Sequence, residues 1–239
     1  ITERTVKKGD SSFLNEGYVP RVTLMPDGGD HFEIVLIEKG VVWFELTAKG
    51  DWAHGSRPWL GKNAIEVMMS ALDRIKNSFE LATADDPENV SMNIGHINGG
   101  DAYNVVPNRV TCWVDIRHTP THTSDQIIEI IHAAAGEDVD VNVTIAVPSF
   151  SVDKNSEMIR LMQEVMKEHL GMDPVLQVSC GASDAIRFAE QNIPVVITKP
   201  HCGGHHADPE WLDMKSTMDL YQIYEKYIER FVKLIKNGL

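Results

Sequence analysis

The spacing of apolar positions predicts an α+β domain in the middle of the chain. From Val41 to Lys49, apolar and polar residues alternate with a period of two, which is typical of a half-buried strand. Between Ala64 and Ile75 the apolar residues recur every three or four positions, which predicts a helix that Asn63 is placed to cap. The same criteria predict strand 91–97, strand 110–117, helix 124–135 and strand 139–145.

The resulting order of elements, β-α-β-β-α-β, has one economical packing, an antiparallel sheet with two helices on one face. We therefore expect residues 40–148 to fold as a self-contained α+β lid domain. The flanking segments alternate short strands with helices, which predicts a discontinuous α/β domain, residues 1–39 and 149–239, around the inserted lid. Its predicted elements are strands 22–25 and 33–37, helix 158–166, strand 175–178, helix 183–190, strand 194–198 and helix 216–236.

Charge and hydropathy argue against two classes of partner. The 239 residues carry 35 acidic and 22 basic side chains, a formal net charge of −13, and so acidic a surface repels the phosphates of nucleic acid. No apolar run approaches the roughly 20 residues that span a bilayer, so no membrane association is expected. The three cysteines are an odd number at wide spacings, which favours a reducing, cytoplasmic location over a disulfide framework.

Histidines and carboxylates gather in the loop that precedes the last predicted helix, from His201 to Trp211. Imidazole is a favoured zinc ligand, and loops that follow strands are where α/β proteins place their sites. A His-rich surface loop would have the same composition, and a mononuclear site could also be drawn from His201, Cys202, His205 and His206. Asp27 is a further candidate ligand because it ends a strand before two glycines, although a turn aspartate gives the same pattern.

Three polar residues of the predicted lid could bind a substrate, and each has an ordinary alternative. His54 lies in the loop between the first strand and its helix, where lone histidines are usually inert. Arg117 lies beside Asp115 on a strand, where it could clamp a carboxylate with paired hydrogen bonds or form a salt bridge within the sheet. Asn104 could donate hydrogen bonds from its amide or merely end a strand.

Taken together and in order, these segments resemble one metallopeptidase family, which includes aminoacylase, acetylornithine deacetylase, succinyl-diaminopimelate desuccinylase, carboxypeptidase G and several dipeptidases. The resemblance covers nearly the whole chain at compatible spacing. It implies that the chain is an α/β catalytic-domain portion with an inserted lid that dimerises. The matching segments are Ala48–Pro58, Gly61–Ile65, Gly99–Pro107, Asp115–Arg117, Gly181–Asp184 and His206–Trp211.

The resemblance implies metal ligands and one catalytic residue. Asp27 and His206 match positions that hold the two zinc ions of the family's active site, where cobalt or manganese could replace zinc. His54 resembles the lid histidine that reaches across the dimer interface and steadies the oxyanion in the partner's active site. The implied assembly is therefore a homodimer formed through the lid domain.

The resemblance also implies a substrate, namely an N-acyl amino acid or a short peptide with a free carboxylate, of which one amide bond is hydrolysed. Asn104 and Arg117 match the lid residues that hold this carboxylate. The loop from Gly181 to Asp184 matches the loop that lines the substrate pocket, and Ser183 is the expected contact within it.

The sequence departs from the family pattern upstream. The His-x-Asp motif, the bridging aspartate and the Glu-Glu pair that supplies the general base are absent, and residues 1–26 leave no room for them. The chain also begins inside a polar stretch at Ile1, so we expect an N-terminal portion to be missing and the 239 residues alone to be inactive. The alternative is a shortened, non-catalytic homologue that uses the lid to dimerise and to bind carboxylates.

Overall fold

The chain forms two compact units that each mix helices with sheet, so the expected α/β class is confirmed. Unit 1 comprises Ile1–Glu38 and Phe150–Leu239, and unit 2 comprises Lys39–Ser149. The computed structural model describes residues 14, 16–17, 19–29, 31–204 and 208–236. No helix within these ranges is long and apolar enough to cross a membrane.

The described elements lie in the following order along the chain. They are β1 (Thr23–Met25), β2 (Ile34–Glu38), β3 (Gly40–Lys49), a short 3-10 helix (Pro58–Leu60), α1 (Ala64–Asn77), β4 (Ser91–Gly99), β5 (Arg109–His118), α2 (Ser124–Ala135), β6 (Val139–Val147), β7 (Phe150–Ser151), α3 (Glu157–Leu170), β8 (Leu176–Ser179), α4 (Ala185–Ala189), β9 (Val195–Ile197), β10 (Cys202–Gly203), β11 (Trp211–Leu212) and α5 (Met214–Lys236).

Unit 2 is a four-stranded antiparallel sheet in the order β4-β5-β3-β6, covered on one face by α1 and α2. The side chain of Asn63 caps α1 by accepting a hydrogen bond from the backbone N–H of Ile65 at 2.9 Å. Thr123 and Gln126 form a reciprocal capping box at the start of α2. The side chains that the alternation placed on the helix-facing side are all buried: Val42, Phe44, Leu46, Ala48, Val110, Cys112, Val114 and Ile116.

The chain enters and leaves unit 2 at adjacent points. A Cβ atom on Gly40 would lie 2.4 Å from Nε2 of His118 and 2.7 Å from the backbone nitrogen of Ser149, so only glycine fits there. His118 is fully buried, and its ring nitrogens contact the carbonyl of Thr119 and the hydroxyl of Ser124. Burial lowers the pKa of His118 because it disfavours the charged imidazolium.

Unit 1 contains a five-stranded mixed sheet built from short strands. β1 pairs with β9 and β2 pairs with β8 in parallel, whereas β2 meets β7 and β9 in antiparallel fashion. Helices α3 and α5 contribute to one apolar cluster and α4 to a second. β10 and β11 form a separate two-stranded ribbon before α5. This scaffold presents the loops that follow β1, β8 and β9.

Candidate active site

Asp27 lines a cavity of about 420 Å³ in unit 1, together with residues that follow β8 and β9. It occupies a turn in which Gly28 and Gly29 have φ angles of +132° and +70°, and a Cβ on Gly28 would lie 2.8 Å from a methyl carbon of Ile197. Side chains are therefore excluded from the turn. The carboxylate of Asp27 is exposed and has no hydrogen bond or ion pair with any residue that the structure describes.

Glu38, at the end of β2, is a buried carboxylate in the same cavity. Only 3% of it is exposed, and its Oε2 accepts hydrogen bonds from the backbone N–H (3.1 Å) and the hydroxyl (2.8 Å) of Ser183. Burial raises the pKa of Glu38, the two hydrogen bonds from Ser183 oppose that rise, and the negative charge of Asp27 adds to it. The sequence analysis missed Glu38; the available signal was a carboxylate that ends an apolar run directly before the lid.

Gly181 and Ser183 also line this cavity, but their polar groups already have hydrogen-bond partners within unit 1. The hydroxyl of Ser183 donates to Glu38 and accepts from the backbone N–H of Ala185 at 3.2 Å, where α4 begins. The N–H of Gly181 donates to the hydroxyl of Ser179 at 3.2 Å. A hydroxyl has one proton and two lone pairs, so Ser183 can offer a ligand only its remaining lone pair.

Arg117 in unit 2 forms the salt bridge that the sequence left open as the alternative. Its Nε and Nη2 atoms lie 2.8 Å and 3.0 Å from the two carboxylate oxygens of Asp115. A guanidinium has five N–H donors in a planar fork, so the edge that includes Nη1 remains for a second carboxylate. Both side chains are less than a third exposed, which holds the fork in one orientation.

His54 and Asn104 are brought together at the other end of unit 2. The backbone N–H of Gly55 donates to the carbonyl of Asn104 at 2.7 Å, and His54 forms an isolated bridge with Val105. Nδ1 of His54 accepts from the backbone N–H of Ser56 at 3.1 Å. In the neutral imidazole the proton is therefore on Nε2, so the exposed ring presents a hydrogen-bond donor.

Within one chain the structure does not bring Asn104 beside Arg117. The His54–Asn104 contact lies next to the end of the sheet where Lys49 pairs with Arg109, whereas Arg117 pairs with Val41 at the other end of the same strands. The eight residue-to-residue steps from Arg109 to Arg117 span roughly 27 Å of extended strand. A single lid therefore cannot apply both side chains to one small carboxylate.

The described residues do not by themselves make a metal site. Among them, no group of three or more histidine, cysteine, aspartate or glutamate side chains is placed to hold an ion. Asp27 fits as one free carboxylate ligand, whereas the carboxylate of Glu38 is buried and engaged by Ser183. His206, and His205 of the mononuclear alternative, lie outside the described residues.

Comparison with known proteins finds similarity to peptidases and related hydrolases. Residues 36–142 match the family described as the peptidase dimerisation domain. The chain is 27% identical over 206 residues to succinyl-diaminopimelate desuccinylase of Ehrlichia canis, covering 82% of this chain and 52% of that protein. It is 34% identical over 128 residues to a probable carboxypeptidase of Talaromyces marneffei, covering 49% of this chain and 28% of that protein.

Solved structures share the fold. A tripeptidase from Staphylococcus aureus matches with a TM-score of 0.74 at 22% identity, over 90% of this chain and 58% of that one. An M20 family metallo-carboxypeptidase from Sulfolobus solfataricus matches with a TM-score of 0.69 at 16% identity, over 90% of this chain and 64% of that one.

The matching proteins are hydrolases, and residues 36–142 of this chain are similar to the dimerisation domain of their metallopeptidase family. It spans about half the length of the curated desuccinylases that it matches. Members of this family work with divalent metals.

Proposed function

We propose that this chain is part of a zinc-dependent amidohydrolase that cleaves an amide bond of an N-acyl amino acid or short peptide with a free carboxylate. The observation that carries the proposal is the arrangement around Arg117, a partly buried guanidinium whose free edge is held in place by Asp115. Asp27 and His206 would be the metal ligands supplied by this chain, and a location in the cytoplasm belongs to the same proposal.

The proposal includes a homodimer, because His54 and Asn104 are far from Arg117 within one chain. A partner lid would supply the Nε2–H of His54 and the amide of Asn104 to the site in which Arg117 holds the carboxylate. The edge strand β4 fits the interface, since its outer side has no strand partner among the described residues and the strand exposes Ile94 (46%) and Ile97 (51%). Sedimentation should give a dimer that Ile97→Lys weakens more than Asn142→Lys on the other edge strand.

Because the 239 residues alone are expected to be inactive, the test of the function uses this chain joined to an upstream segment that supplies the absent ligands and the general base. The joined protein is assayed with zinc, cobalt or manganese against a panel of N-acyl amino acids and dipeptides. Arg117→Ala should raise KM by about tenfold or more, because one partner of a charged hydrogen-bonded pair is lost. Arg109→Ala, an exposed arginine on the same strand, is the matched control and should leave KM unchanged. Zinc content should fall in Asp27→Asn and His206→Ala but not in His132→Ala, a substitution on the exposed side of α2.

A second candidate is a non-catalytic homologue that dimerises and binds carboxylates. The hydrogen bonds from Ser183 to Glu38 favour this non-catalytic function, because they leave Ser183 little capacity to bind a substrate in the cavity around Asp27. Carboxylate binding that depends on Arg117, without turnover in any metal even after the upstream segment is joined, would support this second function. Turnover unaffected by both Arg117→Ala and His206→Ala would overturn the assignment of roles.

A further inference from the structure

The face of the unit 2 sheet that α1 and α2 leave uncovered carries an aromatic cavity, of which one lining residue, Asp115, also belongs to the proposed carboxylate site. It has a volume of about 420 Å³, which falls in the range of small-molecule sites. Trp43 of β3 and Trp113 of β5 form its walls, with 36% and 55% of each residue exposed. Large exposed indoles on a sheet face are costly to leave in water, so a cavity between them favours a ligand with an apolar body.

Two carboxylates lie at this cavity, and only one of them is neutralised. Asp115 is paired with Arg117, so the charges of that pair cancel. Glu45 is half-buried and makes no hydrogen bond or ion pair with any residue in the described ranges. Its cross-strand neighbours are Trp113 and Asn142, and neither carries a positive charge. The cavity therefore has one net negative charge beside two indole faces.

The indole of Trp113 is held in place from the edge strand. The ring centroids of His96 and Trp113 are 4.6 Å apart with an interplanar angle of 37°. On the opposite side, the hydroxyl of Thr144 donates to the backbone carbonyl of Trp43 at 3.2 Å, which ties β6 to β3. Asn93 lines the cavity and adds an amide oxygen as a further acceptor. The site is thus built from four strands rather than from a single mobile loop.

We propose that this cavity binds a small organic cation, namely a protonated alkylamine with an apolar body. The ammonium group would lie against Glu45, and the apolar body between Trp43 and Trp113. A cation over an indole face is attracted by the ring quadrupole, and a partly buried carboxylate strengthens that attraction. A neutral molecule of the same shape gains only the apolar contact, and an anion is repelled by Glu45. The cavity includes Asp115, the partner of Arg117, but the proposed cation contacts are made by Glu45 and the two indoles, so cation binding does not require hydrolysis.

The test is calorimetric titration of the full chain with three probes of similar size: phenethylammonium, 2-phenylethanol and phenylacetate. Phenethylammonium should bind with a stoichiometry of one and more tightly than either of the other probes. Glu45→Gln should weaken phenethylammonium binding by about fivefold and leave 2-phenylethanol unchanged, as expected for one partly exposed ion pair. Trp113→Leu should weaken both probes.

Two control variants keep the test falsifiable. Glu129→Gln makes the same charge change on the exposed side of α2, and Trp59→Leu removes an indole that is 73% exposed in the short 3-10 helix before α1. Neither should alter binding, and circular dichroism should show all four variants folded. The proposal fails if phenethylammonium does not bind at millimolar concentration, or if it binds no better than 2-phenylethanol. Equal losses in Glu45→Gln and Glu129→Gln would also overturn it, because the overall acidity of the chain would then explain the binding.

Discussion

The two units differ in how completely they satisfy the polar groups that they bury. Unit 2 has strands of nine or ten residues, and one continuous apolar cluster covers a whole face of its sheet. Unit 1 has strands of two to five residues and two separate clusters. Of the described side chains, the buried hydroxyl groups without a hydrogen-bond partner all belong to unit 1: Thr23, Ser156, Thr198 and Tyr227.

The difference in unpaired buried hydroxyl groups indicates how each unit is stabilised. A buried hydroxyl without a partner costs about 1–3 kcal/mol, so unit 1 tolerates several polar groups that weaken it. Unit 2 has none of these among its described side chains and depends on its single apolar layer. Removing apolar volume should therefore be most damaging in unit 2, whereas removing a hydroxyl should be harmless at chosen places in unit 1.

The largest expected effect comes from Phe44, which is 2% exposed in the middle of the unit 2 cluster. Phe44→Ala should lower the free energy of unfolding of unit 2 by about 3–5 kcal/mol, because a large cavity replaces the ring. Hydrogen exchange measured by mass spectrometry should show faster exchange across β3, β5 and α1, with little change in α3 and α5. Equal acceleration in both units would show that they unfold together, and the comparison between them would then lose its meaning.

Helix capping gives the next contrast. Asn63 caps α1 through its side chain, whereas Ser156 stands at the same position of α3 with no side-chain cap and a buried, unpartnered hydroxyl. Asn63→Ala should cost about 1 kcal/mol in urea unfolding, and Ser156→Ala should cost nothing or stabilise slightly. A loss of equal size in both variants would mean that Ser156 has a partner in solution.

Two tyrosines of α5 test the same idea within unit 1. The hydroxyl of Tyr224 donates to the carbonyl of Thr198 at 3.1 Å, whereas the hydroxyl of Tyr227 is buried without a partner. Tyr224→Phe should therefore cost about 1 kcal/mol, and Tyr227→Phe should be neutral or stabilising by up to about 1 kcal/mol. Thermal unfolding of the two variants side by side is a direct measurement, since each loses one oxygen from the same helix.

The smallest effects should appear as opposite pH dependences. The pKa of His118 in unit 2 is lowered by burial, so its contribution to stability is fully present above its ordinary value of 6.5 and is lost as the pH falls through the lowered folded-state pKa. The pKa of Glu38 in unit 1 is raised mainly by burial, so its contribution is present below 4.5 and is lost as the pH rises through the raised value.

Two variants isolate these contributions. Relative to the unmodified protein, His118→Asn should lose less stability on acidification, and Glu38→Gln should lose less as the pH rises from acid. Urea unfolding at several pH values measures both. Parallel curves for variant and parent would show that neither group changes its protonation equilibrium on folding.

The sequence predicted unit 2 in more detail than unit 1, for a physical reason. Alternation over ten residues of β3 specifies both the strand and its buried face, and the Asn63 cap marks the start of α1; each of these features was confirmed. In unit 1 the two-residue strands β7, β10 and β11 were not predicted, because so short a strand exists only through its tertiary partner. The strand predicted at 33–37 is observed at Ile34–Glu38, which places Glu38 inside the sheet.

In the candidate site, too, features that depend on neighbouring residues could be predicted, whereas contacts between distant residues could not. Asp27 could be proposed from sequence because the two glycines that follow it predict a turn. The pair of Arg117 and Asp115 could be proposed because the two residues are two positions apart on one strand. Glu38 could be noticed only as a carboxylate at the end of an apolar run, and its contact with Ser183 could not be predicted, since that contact joins residues 145 positions apart. The contact between Gly55 and Asn104 also joins distant segments, and it places Asn104 with His54 rather than with Arg117.

The crowded position of Gly40 against Ser149 bears on how this architecture can be engineered. Because Gly40, the second residue of unit 2, lies against Ser149, the last one, a short peptide could replace the whole unit without pulling the ends of the host apart, and the excised unit could be closed into a ring. A different domain whose termini lie close together could therefore be inserted at this junction, provided that the glycine at position 40 is kept.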